Sequence, residues 1–407
     1  MSKDNYALWG LPQEVKFCNN CVISNQRPNS VVEMKNANLK KETIQFNEEG
    51  ICSACEFASI KTKTDWKERE ELLFELLEPY RSKDGSYDVL VPSSGGKDSS
   101  FQAHILKYKY KMNPLAVTWA PNMFTRAGWI NFNNLSRVGG IDSFLYTPNG
   151  KLHSYLTKLA FCNLGHPFQP FIHGQKIIGP KLAAKLGIKL IMYGENQAEY
   201  GNPIDDNADP FMEPSFFSID DPKDMLLGGE RVSDIIKSTN FNYEEFQPYI
   251  PPSPQLIEDE DIRVTYLGYF EKWDPQECYY YAVDNTGFLP SYERSIGTYS
   301  RYTEIDDKIV PFHFYMTYIK FGIGRATYDS AQEIRNGKIT RSEASYLVKK
   351  FDGEFPDRYV EEFCDYINVT SEEFTEIVDS FRSPHLWTKS QGEWHLNHTV
   401  NLDGIND

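Results

Sequence analysis

The chain has 407 residues, 40% of them hydrophobic, which suffices for two or three domains with a real core and excludes a single small module. Its net charge of -16 works against general binding to a nucleic-acid backbone, where Lys and Arg must displace counterions. The start, MSKDNYALWG, holds no apolar leader, and no run approaches the roughly 18 apolar residues of a membrane span, so the chain reads as cytoplasmic.

Residues 1–64 carry few helical signals and two CxxC pairs, Cys18/Cys21 and Cys52/Cys55, each at a turn-like edge (EVKFCNNC, EGICSACEF). Four thiolates suit tetrahedral Zn2+, and paired knuckles are a common way to present them; a redox pair or an iron-sulfur cluster is the rival reading. The 30 residues between Cys21 and Cys52 demand a long loop between the knuckles. Cys162 and Cys364 fall on apolar helical stripes and Cys278 in an aromatic run, so all three read as small buried hydrophobes.

Asp65 with Glu68 resembles a capping box that opens a helix through Leu77, joining the ribbon to the second domain. An alternating strand and helix pattern then begins. Strand 87–92 runs into Ser93-Ser94-Gly95-Gly96-Lys97-Asp98-Ser99, and a helix comes next with Phe101, Ile105, Tyr108 and Met112 expected on one packed face. PLAVTW (114–119), SFLYTP (143–148) and IKLIMY (188–193) read as further strands. Helices 152–164 and 175–186 lie between the last two, and Gly187 is placed to cap the second. This predicts an α/β fold built on a doubly wound, mostly parallel sheet, whose ligands sit beyond the carboxyl ends of the strands. Gly194-Glu195-Asn196-Gln197-Ala198-Glu199 comes after IKLIMY at such an end. Glu195 is therefore expected to hold Mg2+ or an incoming amine, and Asn196 to hydrogen-bond substrate; a solvated loop is the simpler reading.

Residues 202–261 are acidic (DDNADP, SIDDPKD, IEDEDI) and rich in proline, which marks an insertion, either a lid or a solvated excursion. VTYLGYF (264–270) reads as another strand, with helix 275–284 after it. Near the end of the second domain, two glycines separate Lys320 from Arg325, and cations on a flexible Gly-rich turn suit charge developing on a phosphate; a plain surface turn fits the same string. Residues 331–407 read as helical, with capping boxes at Thr340/Glu343 and Thr370/Glu373 and a stop at Gly353. The expected division is thus 1–64, 65–330 with the insertion, and 331–407.

The glycine loop decides the chemistry. Glycines let backbone fold around an oxyanion at a helix N-terminus, a phosphate cradle. The nucleoside-triphosphate loop GxxxxGK[ST] does not fit, because it would need Gly at Val91 and Ser or Thr at Asp98. The string resembles instead the SGGxDS loop of the PP-loop ATP pyrophosphatases, enzymes of HUP-like fold that split ATP between its α and β phosphates. That resemblance implies that Ser94, Gly95, Gly96 and Ser99 hold pyrophosphate, that Asp98 orients the loop or Mg2+, and that Lys97 adds charge.

Together with the doubled CxxC, GENQAEYG and the long KFGIGRATYDSAQEIRNGKITRSEASYLVKKFDGEFP, the chain from Cys18 to Pro356 resembles the N-acetyl sugar amidotransferases of the WbpG and PseA type. The resemblance implies ATP-dependent conversion of an acetamido group on a bacterial surface sugar, free or nucleotide-linked, into an acetamidino group. A thiol glutaminase would need Cys at position 2 or in a GxCxG elbow, whereas the chain has Ser2 and FCNLG around Cys162. Separate HisH-like glutaminase and HisF-like cyclase partners are therefore implied as the ammonia source. A PP-loop tRNA thiolase and a non-catalytic nucleotide-binding subunit are the rivals, and the acidic charge weighs against the first.

Overall fold

The computed structural model describes residues 6–37, 40–204 and 209–400; Ser2 and residues 205–208 of the insertion lie outside them. A ribbon with short bridges Phe17↔Ser24, Pro28↔Thr43 and Phe46↔Cys52 leads into α1 (Ser53–Lys61) and α2 (Trp66–Leu77). Asp65 caps α2, accepting from the N–H groups of Lys67 and Glu68.

The central sheet consists of β1 (Val89–Pro92), β2 (Pro114–Trp119), β3 (Asp142–Tyr146), β4 (Leu190–Tyr193) and, after a two-residue ribbon β5/β6 (Leu226–Leu227, Glu230–Arg231), β7 (Arg263–Tyr266). Its order is β3-β2-β1-β4-β7 and every pairing is parallel. Side chains alternate between faces at period two, and both faces are covered. Leu90, Val117, Ile191 and Val264 enter one core with α5 (Gly150–Leu159) and α6 (Gln169–Leu186). Val89, Val91, Ala116 and Met192 enter the other, with α3 (Lys97–Tyr108) and, beyond α4 (Arg126–Arg137), the later helix α10 (Pro275–Thr286). Each such Val or Leu contributes about 1.5–3 kcal/mol by leaving water, so these strands stay apolar on both sides.

On α3 the buried face is Ser100, Ala103, Ile105 and Leu106; Tyr108 is exposed and Met112 lies beyond the helix. Helix α6 begins at Gln169, six residues earlier than its pattern suggests, because Pro170 sits in the first turn and Gly174 is required where its Cβ would meet the Trp119 ring at 2.3 Å. The insertion is no solvated excursion: Met212, Phe217, Met225, Leu227, Ile235, Phe246 and Tyr249 are part of the sheet's own core, carried partly by α7 (Val232–Ser238), α8 (Tyr243–Phe246) and α9 (Pro254–Asp259). None of its described residues lines the cavities of about 500 and 270 Å3 that border the glycine loop.

Helices α11 (Val310–Phe321), α12 (Arg325–Arg335), α13 (Arg341–Phe351), α14 (Val360–Ile367) and α15 (Ser371–Ser380) complete the chain, with both expected capping boxes in place. The region is not purely helical, since β8 (Trp387–Ser390) and β9 (Glu393–Leu396) form an antiparallel hairpin over Gln391-Gly392, both at positive φ. The expected boundary at 330 falls inside α12. One core joins Cys18, Cys52 and Ile44 of the ribbon to Phe321, Ala331, Ala344 and Val400. Among the described residues no helix is long and apolar enough to cross a membrane.

Candidate functional site

The strand order reverses between β1 and β4, and the loops leaving these two strands meet there. The β1 loop folds tightly. Gly95 has φ +80, and a Cβ on it would lie 2.6 Å from the backbone of Phe132 in α4, so only glycine fits. Ser93, which lies just outside the recognised motif, ties the loop: its hydroxyl accepts from Gly95 N at 3.1 Å and donates to Ser99 Oγ at 2.9 Å. Ser99 Oγ also donates to Gly96 O at 3.2 Å, and Ser94 hydrogen-bonds the Asp306 carboxylate. Gly96 is the N-cap of α3, and the first-turn amides of Lys97, Asp98 and Ser99 have no acceptor inside the helix. They form the anion-favouring end of a dipole.

Two cavities adjoin this loop. One, of about 270 Å3, is lined by Ser93 to Ser99 with Trp119 and Tyr193 at the strand ends and Phe171 of α6. The other, of about 500 Å3, reaches from the loop toward Asn29 and Ser30 of the ribbon and Lys320 of α11. Lys97, Asp98, Glu195, Tyr302 and Glu304 line both and form their common wall. Lys97 Nζ is paired with Asp98 Oδ2 and nearly buried. Burial alone would lower the Lys97 pKa, but the Asp98 charge outweighs it and holds the ammonium form. The other carboxylate oxygen of Asp98 is buried without a hydrogen-bond partner.

Burial, then the charge of Asp98, raises the Glu195 pKa, and Tyr200 donates a hydrogen bond to it. Glu304 sits in the left-handed region at φ +45, and its carboxyl is pushed up to about 7 by the surrounding protein, with Arg325 partly offsetting this. Asp306 is likewise raised by burial. Three carboxyls, of Asp98, Glu195 and Glu304, thus face one lysine beside the free amides of the first turn of α3. This donor set would suit a phosphate chain with a divalent cation, to which Asp98 and Glu195 could offer hard oxygen ligands.

Glu304, Asp306 and Tyr302 escape a reading of local sequence because they arrive from some two hundred residues away; the polar, tyrosine-rich SYERSIGTYSRYTEIDD is the signal that could have found them. Asn196 is spent elsewhere, its Oδ1 accepting from Ala198 N at 2.9 Å as the cap of a 3-10 turn, and it lines neither large cavity. Glu199 is structural, paired with Lys61 of α1 at 2.7 Å.

Lys320 and Arg325 are not on a flexible turn. They are the end of α11 and the start of α12, joined by Gly322 at φ +67 and the N-cap Gly324. Lys320 donates to Leu164 O at 2.6 Å on the wall of the large cavity, over the Trp9 ring, and burial holds its pKa well below the usual value. Arg325 faces a different, smaller cavity and donates to Thr303 O. The structure therefore brings Lys97, Asp98 and Glu195 together, places Lys320 farther along the large cavity, and sets Arg325 behind Glu304.

The four cysteines of the CxxC pairs are buried, with their Sγ atoms all within 4.8 Å of one another. Cys21 and Cys52 lie 3.7 Å apart and Cys18 and Cys55 4.0 Å, close to the about 3.8 Å edge of a tetrahedron with 2.3 Å metal-sulfur bonds. The amides of Asn20, Cys21 and Cys52 point at Cys18 Sγ from 3.3–3.4 Å, as a thiolate requires. The cluster fits a tetrahedral metal ion. Arg341 of α13 donates to the carbonyls of Cys21 and Cys18, tying the knuckle to the C-terminal helices.

Comparison with known proteins adds two findings. Over 77 residues the chain is 31% identical to an uncharacterized protein of Methanocaldococcus jannaschii, a match that covers 19% of this chain and 27% of that protein. Residues 296–401, which carry Tyr302, Glu304, Asp306, Lys320 and Arg325, match the family described as LPS biosynthesis protein WbpG-like, C-terminal domain, and this supports a role in making polysaccharide sugars.

Proposed function

We propose that the protein is an ATP-dependent amidotransferase that replaces the oxygen of a sugar N-acetyl group with ammonia-derived nitrogen. The observation that carries this reading is the pair of cavities sharing the wall of Lys97, Asp98, Glu195, Tyr302 and Glu304. The smaller cavity, lined by the cradle, takes ATP; the larger takes the sugar, with its acetamido oxygen directed at the wall.

An amide oxygen is a poor leaving group, so it must be activated first. In this reaction it attacks the α-phosphorus of ATP, the bond to the β-phosphate breaks, and pyrophosphate remains on the amides that open α3. The product is an imidoyl adenylate. Ammonia adds to its carbon, a proton passes to a wall carboxylate, and AMP departs with the original amide oxygen, leaving the amidine. Glu304, half-exposed on the shared wall and with its carboxyl raised above the ordinary range, is suited to receive that proton. When bound, Mg2+ held by Asp98 and Glu195 neutralises the phosphate chain. Zinc in the Cys18, Cys21, Cys52, Cys55 cluster has a structural role.

Ammonia is supplied by separate HisH-like and HisF-like subunits, and delivery through a closed path keeps it from protonation and loss. A thiolase mechanism would need a thiolate by the loop; Cys278 is nearby but buried, and burial with the adjacent carboxylates pushes its thiol well up. The test is mass spectrometry of N-acetylated sugars and their nucleotide conjugates incubated with ATP, Mg2+ and ammonium. A product in which O is replaced by NH, formed together with AMP, supports the reading. ADP as the nucleotide product sinks it.

A further inference from the structure

Behind the wall formed by Glu304 and Ile305 lies a cavity of about 160 Å3. Four arginines line it, Arg126, Arg294, Arg325 and Arg358, in a chain of net charge -16. Two are already balanced. Arg294 makes a bidentate pair with Glu354, both bonds 2.6 Å, and Arg358 is paired with Glu293. Arg325 is not fully used: it is 1% exposed, its Nη2 bonds Thr303 O and lies 3.7 Å from Glu304, while Nε and Nη1 have no hydrogen-bond partner. Buried charged donors left unmade are costly and rare.

Arg126 is exposed and opens α4, whose N-cap is Thr125. The first-turn amides of Arg126 and Ala127, which also line the cavity, have no acceptor within their helix, and the positive end of its dipole lies there. Two acids share the lining, Glu304 and Asp307; burial raises the Asp307 pKa well above the usual carboxylate range, and the nearby carboxylates of Glu354 and Glu293 are engaged by Arg294 and Arg358.

We propose that this pocket is a binding site for a multiply charged oxyanion of the phosphate class, held by Arg126 together with Arg325 and the first turn of α4. Guanidinium forks match such an anion in geometry as well as charge. Its ligand is either the pyrophosphate released from the cradle, across Ile305, or the diphosphate of a nucleotide-linked sugar. The choice of source rests on the ATP reading above; the site itself does not.

The test is calorimetric titration of the full chain with inorganic pyrophosphate in the absence of ATP. The wild type is expected to show a cradle site and an arginine site. Arg126→Ala should weaken the arginine site about tenfold or more, with Arg126→Lys recovering part of the loss, and Lys97→Ala should weaken only the cradle. Displacement of pyrophosphate from the arginine site by UDP-N-acetylglucosamine identifies the sugar's diphosphate as the ligand, and failure to displace it identifies the leaving group. Binding that Arg126→Ala and Arg126→Glu leave unchanged overturns the proposal. An intact arginine site without any cradle site would instead sink the ATP reading and leave this one standing.

Discussion

The cysteine knuckle and the glycine loop use one device to opposite ends. At the knuckle, three backbone amides converge on Cys18 Sγ from 3.3–3.4 Å, and the ribbon, α12 and α13 close over it. At the head of α3 the amides of Lys97, Asp98 and Ser99 also favour negative charge, but they face cavities of about 270 and 500 Å3. An enclosed set of donors serves folding. An open one, beside an unpartnered carboxylate oxygen of Asp98, is available for a substrate.

If that contrast is right, breaking the closed site should cost the fold and breaking the open one should cost the reaction. The largest effect is expected from Cys18→Ser with Cys52→Ser. Structural zinc binding is worth about 10–16 kcal/mol in small domains, comparable to or above the roughly 5–15 kcal/mol net stability of a whole domain. The doubly substituted chain should lose its single zinc and its cooperative unfolding; metal analysis finding iron, or a stable metal-free fold, would break the comparison.

Next are Asp98→Ala and Ser94→Ala, which should lower kcat by about two to three orders of magnitude by removing charge-stabilising groups. Ser94→Ala should leave thermal unfolding close to wild type, whereas Asp98→Ala also leaves the buried Lys97 ammonium without its partner and should lower it; normal turnover in either would refute the assignment of the loop. Gly95→Ala should do both kinds of damage, since the new Cβ meets the Phe132 backbone at 2.6 Å in a left-handed conformation. A loss of about 2 kcal/mol in a urea titration is expected, together with loss of activity.

The smallest effect lies outside both sites. Burial lowers the pKa of His153 to about 3 and of His173 to about 4, so both stay neutral in the fold while the unfolded chain binds protons from about pH 6.5 downward. Stability contributed by the neutral forms is therefore present above that pH and falls as acid is added. Between pH 7 and pH 6 the pair should cost about 1 kcal/mol; His385 and His313, also lowered by burial, add to the same slope, so His153→Gln should remove about a quarter of it.

Legibility in the sequence tracked the range of the interactions. PLAVTW reads as a strand because both sheet faces are covered, leaving a continuous apolar run. The glycine loop and the cysteine pairs could be read because their chemistry lies within a few residues. The insertion misled because its prolines and acids occupy the turns, whereas Phe217, Leu227 and Tyr249 are set singly among them and assemble only against the sheet. Lys320 and Arg325 carry the right charge for a turn, but helix geometry around Gly322 and Gly324 turns them into separate cavities. Glu304 and Asp306 reach the loop only through tertiary structure, which local spacing does not encode.

The central claim is that the sugar's amide oxygen is adenylated at the wall between the two cavities. It is tested most directly by supplying an acceptor labelled with oxygen-18 in its N-acetyl carbonyl, with ATP and ammonium, and tracing the label by mass spectrometry. The heavy oxygen should leave in AMP, and the amidine sugar should carry none. Label found in inorganic phosphate alongside ADP, or AMP formed without label, would contradict it.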